Sequence, residues 1–154
     1  MSIEKTIAPI SHVALKEDDL EHLESRLGVK LPQDYKIFMM LHNGGKPAAS
    51  VFNFAERGAQ TSASVRRFFA LDDSHKFYSL NKHISIYHGR HPPGMVPVAC
   101  DSFGNLILLE CAGEHYGNVF FWDHENEDTS GSRRNLSLIS RSFAEFLSLH
   151  APKA

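Results

Sequence analysis

This sequence is poor in cysteine. It has two cysteines in 154 residues, Cys100 and Cys111. Two thiols exclude a disulfide scaffold and an all-cysteine zinc site. Long apolar runs are absent too. Leu106 to Leu109 and Val119 to Trp122 fall far short of the ~20 residues that cross a bilayer. There is no excess of basic charge: 16 Lys and Arg against 18 Asp and Glu give −2, with a pI near 6.5. Nucleic-acid binding draws affinity from neutralised phosphates, so short basic pairs such as Arg66-Arg67 and Arg133-Arg134 argue against direct contact with nucleic acid. The phosphate-loop pattern fails, because Gly45-Lys46 is followed by Pro47. No Gly-x-Ser-x-Gly elbow occurs. Met1 to Ile10 contains Glu4 and Lys5 and does not read as a signal peptide. The expectation is a cytoplasmic protein with reduced thiols, no cofactor and no membrane attachment.

What is present suits an ordinary core. Hydrophobic residues make up 42% and charged residues 22%, and the eleven phenylalanines are the main aromatic filler. The length fits a single domain of 1–154 with a core from about residue 17 to 150.

Leu20, Leu23 and Leu27 recur at helical spacing, and Glu17, Asp18 and Asp19 suit a helix start. Gly28 closes that helix. A second helix starts at Leu31-Pro32, presents Tyr35, Phe38 and Met39, and stops at Asn43-Gly44-Gly45. Strands are expected near Val51 to Phe54 and Val65 to Leu71. Phe77, Leu80, Ile84 and Tyr87 predict a third helix over His75 to Tyr87. Then comes a meander: Val96 to Cys100, a turn at Asp101 to Gly104, Asn105 to Cys111, and Asn118 to Trp122. A short strand is expected at Leu136 to Ile139. Ser142-x-x-Glu145 reads as the capping box of a last helix, with Phe143, Phe146 and Leu147 inward. The fold class is therefore α+β, a mainly antiparallel sheet packed with helices from the N-terminus, middle and C-terminus. Two meander strands are apolar at every position, so both their faces need cover. Helices supply one cover; loops or a partner must supply the other.

Candidate chemistry is sparse. Asp101, Gly104 and Asn105 satisfy the demands of a hairpin turn. Asp123, Glu125, Glu127 and Asp128 make an acidic loop, either solvated or a surface for a basic partner. His88 and His91 with Asp101 would be a minimal metal set, but no further ligand follows at zinc spacing. His22-x-Glu24 lacks the Cys pair of a zinc deaminase. Cys100 or Cys111 with His115 would be a nucleophile pair, yet both thiols sit in apolar strands, where thiols are usually inert. A turn at Phe103-Gly104 sets Cys100 opposite about Ile107 and Cys111 opposite about Val96, too far apart for a disulfide.

Four blocks in order carry a resemblance. Leu20 to Pro47 reads L-E-H-L-E-S-R-L-G-V-K-L-P-Q-D-Y-K-I-F-M-M-L-H-N-G-G-K-P. V-P-V-A-C-D-S-F-G-N-L-I-L-L-E, G-N-V-F-F-W-D-H-E and S-F-A-E-F-L follow. From about Asp18 to Leu149 the chain resembles the SUKH superfamily, which includes bacterial immunity proteins and a fungal cell-wall-assembly regulator. The resemblance implies an α+β fold without catalysis. It implies a protein partner, a cognate toxin such as a nuclease or deaminase; the alternative is a regulatory adaptor, and a small metal-binding enzyme is the third reading. The family's positions fall on Leu31, Pro32, Tyr35, Phe38, Asn43, Gly44 and Gly45, on Asp101, Gly104 and Asn105, and on Trp122, Asp123, His124 and Glu125. The expected partner-binding set is Asp101, Asn105, Trp122, Asp123, His124, Glu125 and Asp128. Residues 52 to 93 match no pattern of the family.

Overall fold

A computed structural model of the chain describes residues 6–48, 50–126, 133 and 135–149. The first helix, α1 (Glu17–Leu27), ends at Gly28 in the left-handed region (φ 68°), whose N–H bonds the Glu24 carbonyl at 2.8 Å. Glu24 is buried, and its carboxylate accepts the Leu31 N–H at 2.7 Å with the Lys36 ammonium 3.7 Å away. That acid fixes the turn between α1 and α2 (Gln33–His42). Tyr35, Phe38 and Met39 of α2 are buried, as their spacing predicts.

Asn43-Gly44-Gly45 does more than stop α2. Asn43 sits at φ 47°, and its side chain accepts from Leu71 N at 2.7 Å and donates to the Val13 carbonyl at 3.0 Å. Gly44 has φ 81°, and a Cβ there would lie 2.7 Å from the carbonyl oxygens of Phe68 and Phe69. The helix end is thus the seat of the next strand. Gly45 and Phe68 exchange backbone hydrogen bonds of 3.1 and 2.7 Å.

Near the N-terminus, β1 (Ile7–Ala8) pairs with β2 (Lys46–Pro47). The next pair is a regular hairpin of β3 (Val51–Glu56) and β4 (Ala59–Ser64), which share six antiparallel pairs. The hairpin extends past the expected Val51 to Phe54 strand. Its turn is Arg57-Gly58, both at positive φ (51° and 82°), the geometry of a tight hairpin. The strand expected at Val65 to Leu71 shrinks to β5 (Arg67–Phe68).

The third helix, α3, spans only Leu80–Tyr87. Ser79 caps it by accepting the Lys82 N–H at 3.2 Å, and Asp73 in turn accepts the Ser79 hydroxyl at 2.8 Å. Phe77 lies before that cap and is 66% exposed, so its place on a helix face is corrected.

The main sheet is five-stranded, in the order β5–β6–β7–β8–β9, with every pair antiparallel. Its later strands are β6 (Met95–Cys100), β7 (Leu106–Glu110), β8 (Val119–Trp122) and β9 (Leu136–Ser140). The meander is thus as expected, with one correction. An irregularity between Pro97 and Ala99 shifts the register, so Cys100 faces Leu106 and Ala99 faces Ile107. Cys111 lies past the strand end, its N–H on the Gly94 carbonyl at 2.8 Å, and both cysteines are free thiols.

Every residue of β7 and β8 is buried, and the chain itself provides both covers. On one face, Phe68 and Phe121 meet Phe38 of α2, Phe54 of β3, and Phe143 and Phe146 of α4 (Phe143–Leu147), with ring centroids 4.8–6.1 Å apart. On the other, Trp122 packs edge-on against Tyr87 of α3 at 5.7 Å, and Arg133 lies over Phe120. No exposed apolar patch is left on the centre of the sheet for a partner to cover. Each of the buried phenylalanines contributes about 1.5–3 kcal/mol by leaving water.

The last helix starts where Ser142 predicts, with its hydroxyl accepting from Glu145 N at 3.0 Å. A second acceptor comes from α2: the Asp34 carboxylate takes the Ala144 N–H at 2.9 Å. No helix among the described residues is long and apolar enough to cross a membrane.

Candidate protein-binding site

The turn joining β6 to β7 is built around one buried carboxylate. Asp101 is 4% exposed, and its Oδ1 accepts the N–H groups of Phe103 and Asn105, each at 2.8 Å. Its Oδ2 accepts the Asn105 side-chain amide at 2.8 Å. Hydrogen bonds to an ionised acceptor are stronger than neutral ones, so three of them define this loop firmly. Gly104 supplies the positive φ (88°) the turn needs.

The turn is also tied to the far end of β8. Asn105 Oδ1 accepts the His124 N–H at 3.1 Å, and His124 Nε2 lies 2.8 Å from the Phe103 carbonyl oxygen. His124 opens a 3-10 turn, His124–Asn126, in which the Asp123 carboxylate accepts the Glu125 N–H at 3.0 Å. The Asn135 side chain donates to the Asp123 carbonyl at 3.0 Å. Asp101, Asn105, Asp123, His124 and Glu125 therefore converge on one end of the sheet. Trp122 is fully buried behind them and acts through packing. Asp128 and Glu127 lie outside the described residues.

The product of this bracing is Phe103. Its backbone is held on both sides, yet the residue is 78% exposed, the most exposed of the large hydrophobic residues among those described. A rigid, exposed aromatic ring is the form that interface anchors take. Beside it a cleft of about 200 Å³ is lined by Phe103, Asp101 and Asn105 and by Thr61, Ser62 and Ser64 of β4. Charge is divided around this end. Glu125 is exposed on the β8 side. On the β5 side exposed Arg66 bonds through its N–H to the Cys100 carbonyl at 2.8 Å, and Arg66, Arg67, Phe77 and Cys100 share a small depression. The sequence marks Asp101, Gly104 and Asn105 as turn formers. It does not mark Phe103, because an aromatic residue in a turn is exposed or buried by what packs beside it.

The alternative chemistries do not assemble. His91 Nδ1 bonds the Pro92 carbonyl at 3.0 Å, and burial pushes the imidazole below its ordinary pKa. Asp101, its supposed co-ligand with His88, is committed to its turn. Among the described residues no three His, Cys, Asp or Glu side chains converge on a metal position. Burial pushes the Cys100 thiol up to about 11, and Cys111 higher still, which keeps both protonated near neutral pH. The open groove of about 1130 Å³ beside Cys111 contains Glu24, whose carboxylate is spent on Leu31 and Lys36.

A family model for the SMI1 / KNR4 family (SUKH-1) matches residues 14–149. This chain is a SUKH-1 protein. It is similar to an uncharacterised SPbeta prophage-derived protein of Bacillus subtilis (strain 168), YokK, at 30% identity over 146 aligned residues, 84% of this chain and 71% of the relative. The SUKH-1 match begins just before α1 and ends just after α4, so it takes in the braced turn and the Asn43-Gly44-Gly45 seat alike. SUKH-1 membership brings with it recognition of other proteins.

Proposed function

We propose that this SUKH-1 protein is an immunity protein: it binds a bacterial protein toxin in the cytoplasm and blocks it by occlusion, with no catalysis of its own. The observation that carries the reading is Phe103, an exposed ring on a turn braced by Asp101, Asn105 and His124. A pre-ordered anchor loses little entropy on binding, which favours affinity. Glu125 and the acidic segment through Asp128 suit a basic toxin, and nucleases are commonly basic because their substrate is polyanionic. The raised thiol pKa values and the committed Asp101 favour a binding role over an enzyme. The prophage origin of one relative favours toxin defence over a regulatory adaptor.

The test is co-expression with each toxin candidate encoded in the neighbourhood of this gene. Wild-type protein is expected to restore growth and to co-purify with the toxin one to one. Full toxicity in the presence of soluble, folded protein would refute the immunity reading.

A further inference from the structure

The edges of these sheets are not alike. In the main sheet β5 has two residues, one of them Arg67, and is preceded by Arg66, while β9 has β3 packed beside it. Short strands, charges and covering segments are the usual protections of a sheet edge. β4 has none of them. Ala59-Gln60-Thr61-Ser62-Ala63-Ser64 carries no charge, no proline and no bulge over six consecutive pairs.

The hairpin register says which backbone groups are free. A two-residue turn closes on a hydrogen-bonded pair, here Glu56 and Ala59. Alternation then makes Phe54–Thr61 and Phe52–Ala63 hydrogen-bonded pairs. The Val65 N–H bond to the Ser50 carbonyl, 2.9 Å, continues the same alternation. The N–H and C=O groups of Gln60, Ser62 and Ser64 therefore point away from β3, and among the described residues no hydrogen bond from another segment meets them. Thr61, Ser62 and Ser64 line the cleft whose other wall is Phe103 and its turn.

We propose that β4 receives an extended segment of the partner protein as an added antiparallel or parallel strand, with Phe103 packing against that segment's side chains. This rests on the protein-binding reading above and names how the partner is held. The hydrogen-bond array specifies backbone, so the segment needs no fixed sequence at its centre, only an extended, proline-free stretch. Charge specifies one end: Arg66 and Arg67 follow the end of β4 after the single residue Val65, and an acidic residue at that end of the segment complements them. A second copy of this chain fits less well. Pairing β4 with its own copy involves one uncharged six-residue strand on each side, well under the roughly 1,000 Å² that a stable interface needs.

The probe is a phage-displayed library of short linear peptides, selected on the intact protein. Peptides with an extended, proline-free stretch and an acidic end are expected to be recovered. They are expected to slow amide hydrogen exchange at Gln60, Ser62 and Ser64. Methylating alternate peptide nitrogens, or introducing Ser62→Pro, is expected to weaken binding about tenfold or more. If Ser62→Pro unfolds the hairpin, Ser62→Lys blocks the edge instead. Failure to enrich peptides over the blocked variant, or protection that falls elsewhere, overturns the proposal. Toxin protection separates the two readings. Protection without edge binding leaves the immunity function standing and removes the strand, and edge binding without protection does the reverse.

Discussion

His124 Nε2 lies 2.8 Å from the Phe103 carbonyl oxygen, so a residue just past β8 holds the tip of the turn between β6 and β7. Those residues are 21 apart in the chain. The contact converts two neighbouring strand ends into one rigid platform. It fixes the backbone from which the exposed Phe103 projects.

Asp101 is the keystone of that platform. Asp101→Ala strips three donors of their acceptor and is expected to cost roughly 1.5–3 kcal/mol, since bonds to a charged group are the stronger ones. The denaturant midpoint should fall with an unchanged slope. An unchanged midpoint would mean that the turn does not depend on its carboxylate.

Gly44→Ala should be far more damaging than a change of helix stop implies. Its Cβ would meet two backbone carbonyl oxygens at 2.7 Å, and φ is 81°. Backbone cannot yield as a flexible side chain does, so α2 and β5 must separate. A loss above about 2 kcal/mol is expected. Thermal unfolding of the variant checks this, and a midpoint within a degree or two of wild type would refute the close approach.

The last helix has two caps, so removing one should be mild. Ser142→Ala is expected to cost about 0.5–2 kcal/mol. Asp34→Ala removes the acceptor for Ala144 N, and the double variant should lose more than either alone. Denaturation of all four proteins as a double-mutant cycle measures it. A silent Asp34→Ala would show that the cap from α2 carries no energy.

Acid should weaken the fold through buried imidazoles. Burial lowers the pKa of His83, which stacks on Phe69 at 3.7 Å, and of His91. The unfolded chain then binds more protons than the folded one as pH falls below about 6.5, so stability declines in that window and levels off below the folded pKa values. The hydrogen bonds that lower the Asp72 pKa act in the same direction at more acidic pH. Denaturant midpoints from pH 7.5 to 5 should fall for wild type and fall less for His91→Gln. Equal slopes would exclude His91 as a contributor.

Helical spacing made α1 and α2 legible, and hairpin turns made β6 to β8 legible, because local pattern and tertiary burial agree there. The β3–β4 hairpin was half hidden. Ala59 to Ser64 lacks apolar alternation, and Arg57, an L-residue at φ 51°, does not advertise a tight turn. Phe77 looked like core because it falls at helical spacing from Leu80 and Ile84, but the Ser79 cap starts the helix after it. Asp101, Asn105 and His124 were legible as one neighbourhood only through the family resemblance. Their hydrogen bonds join residues whose pairing no local pattern encodes. Trp122 belongs to the same neighbourhood but is buried against Tyr87, a contact set by α3 packing.

The central claim is that Phe103 anchors a protein partner. The measurement is titration calorimetry of wild type and Phe103→Ser against a toxin that the wild type neutralises in co-expression, with denaturant unfolding of both proteins alongside. An exposed ring contributes little to folding, so unfolding midpoints should agree within about 0.5 kcal/mol. Binding should weaken by about 2 kcal/mol or more, roughly thirtyfold in Kd, as for an interface anchor. Equal affinity of two equally stable proteins would contradict the account.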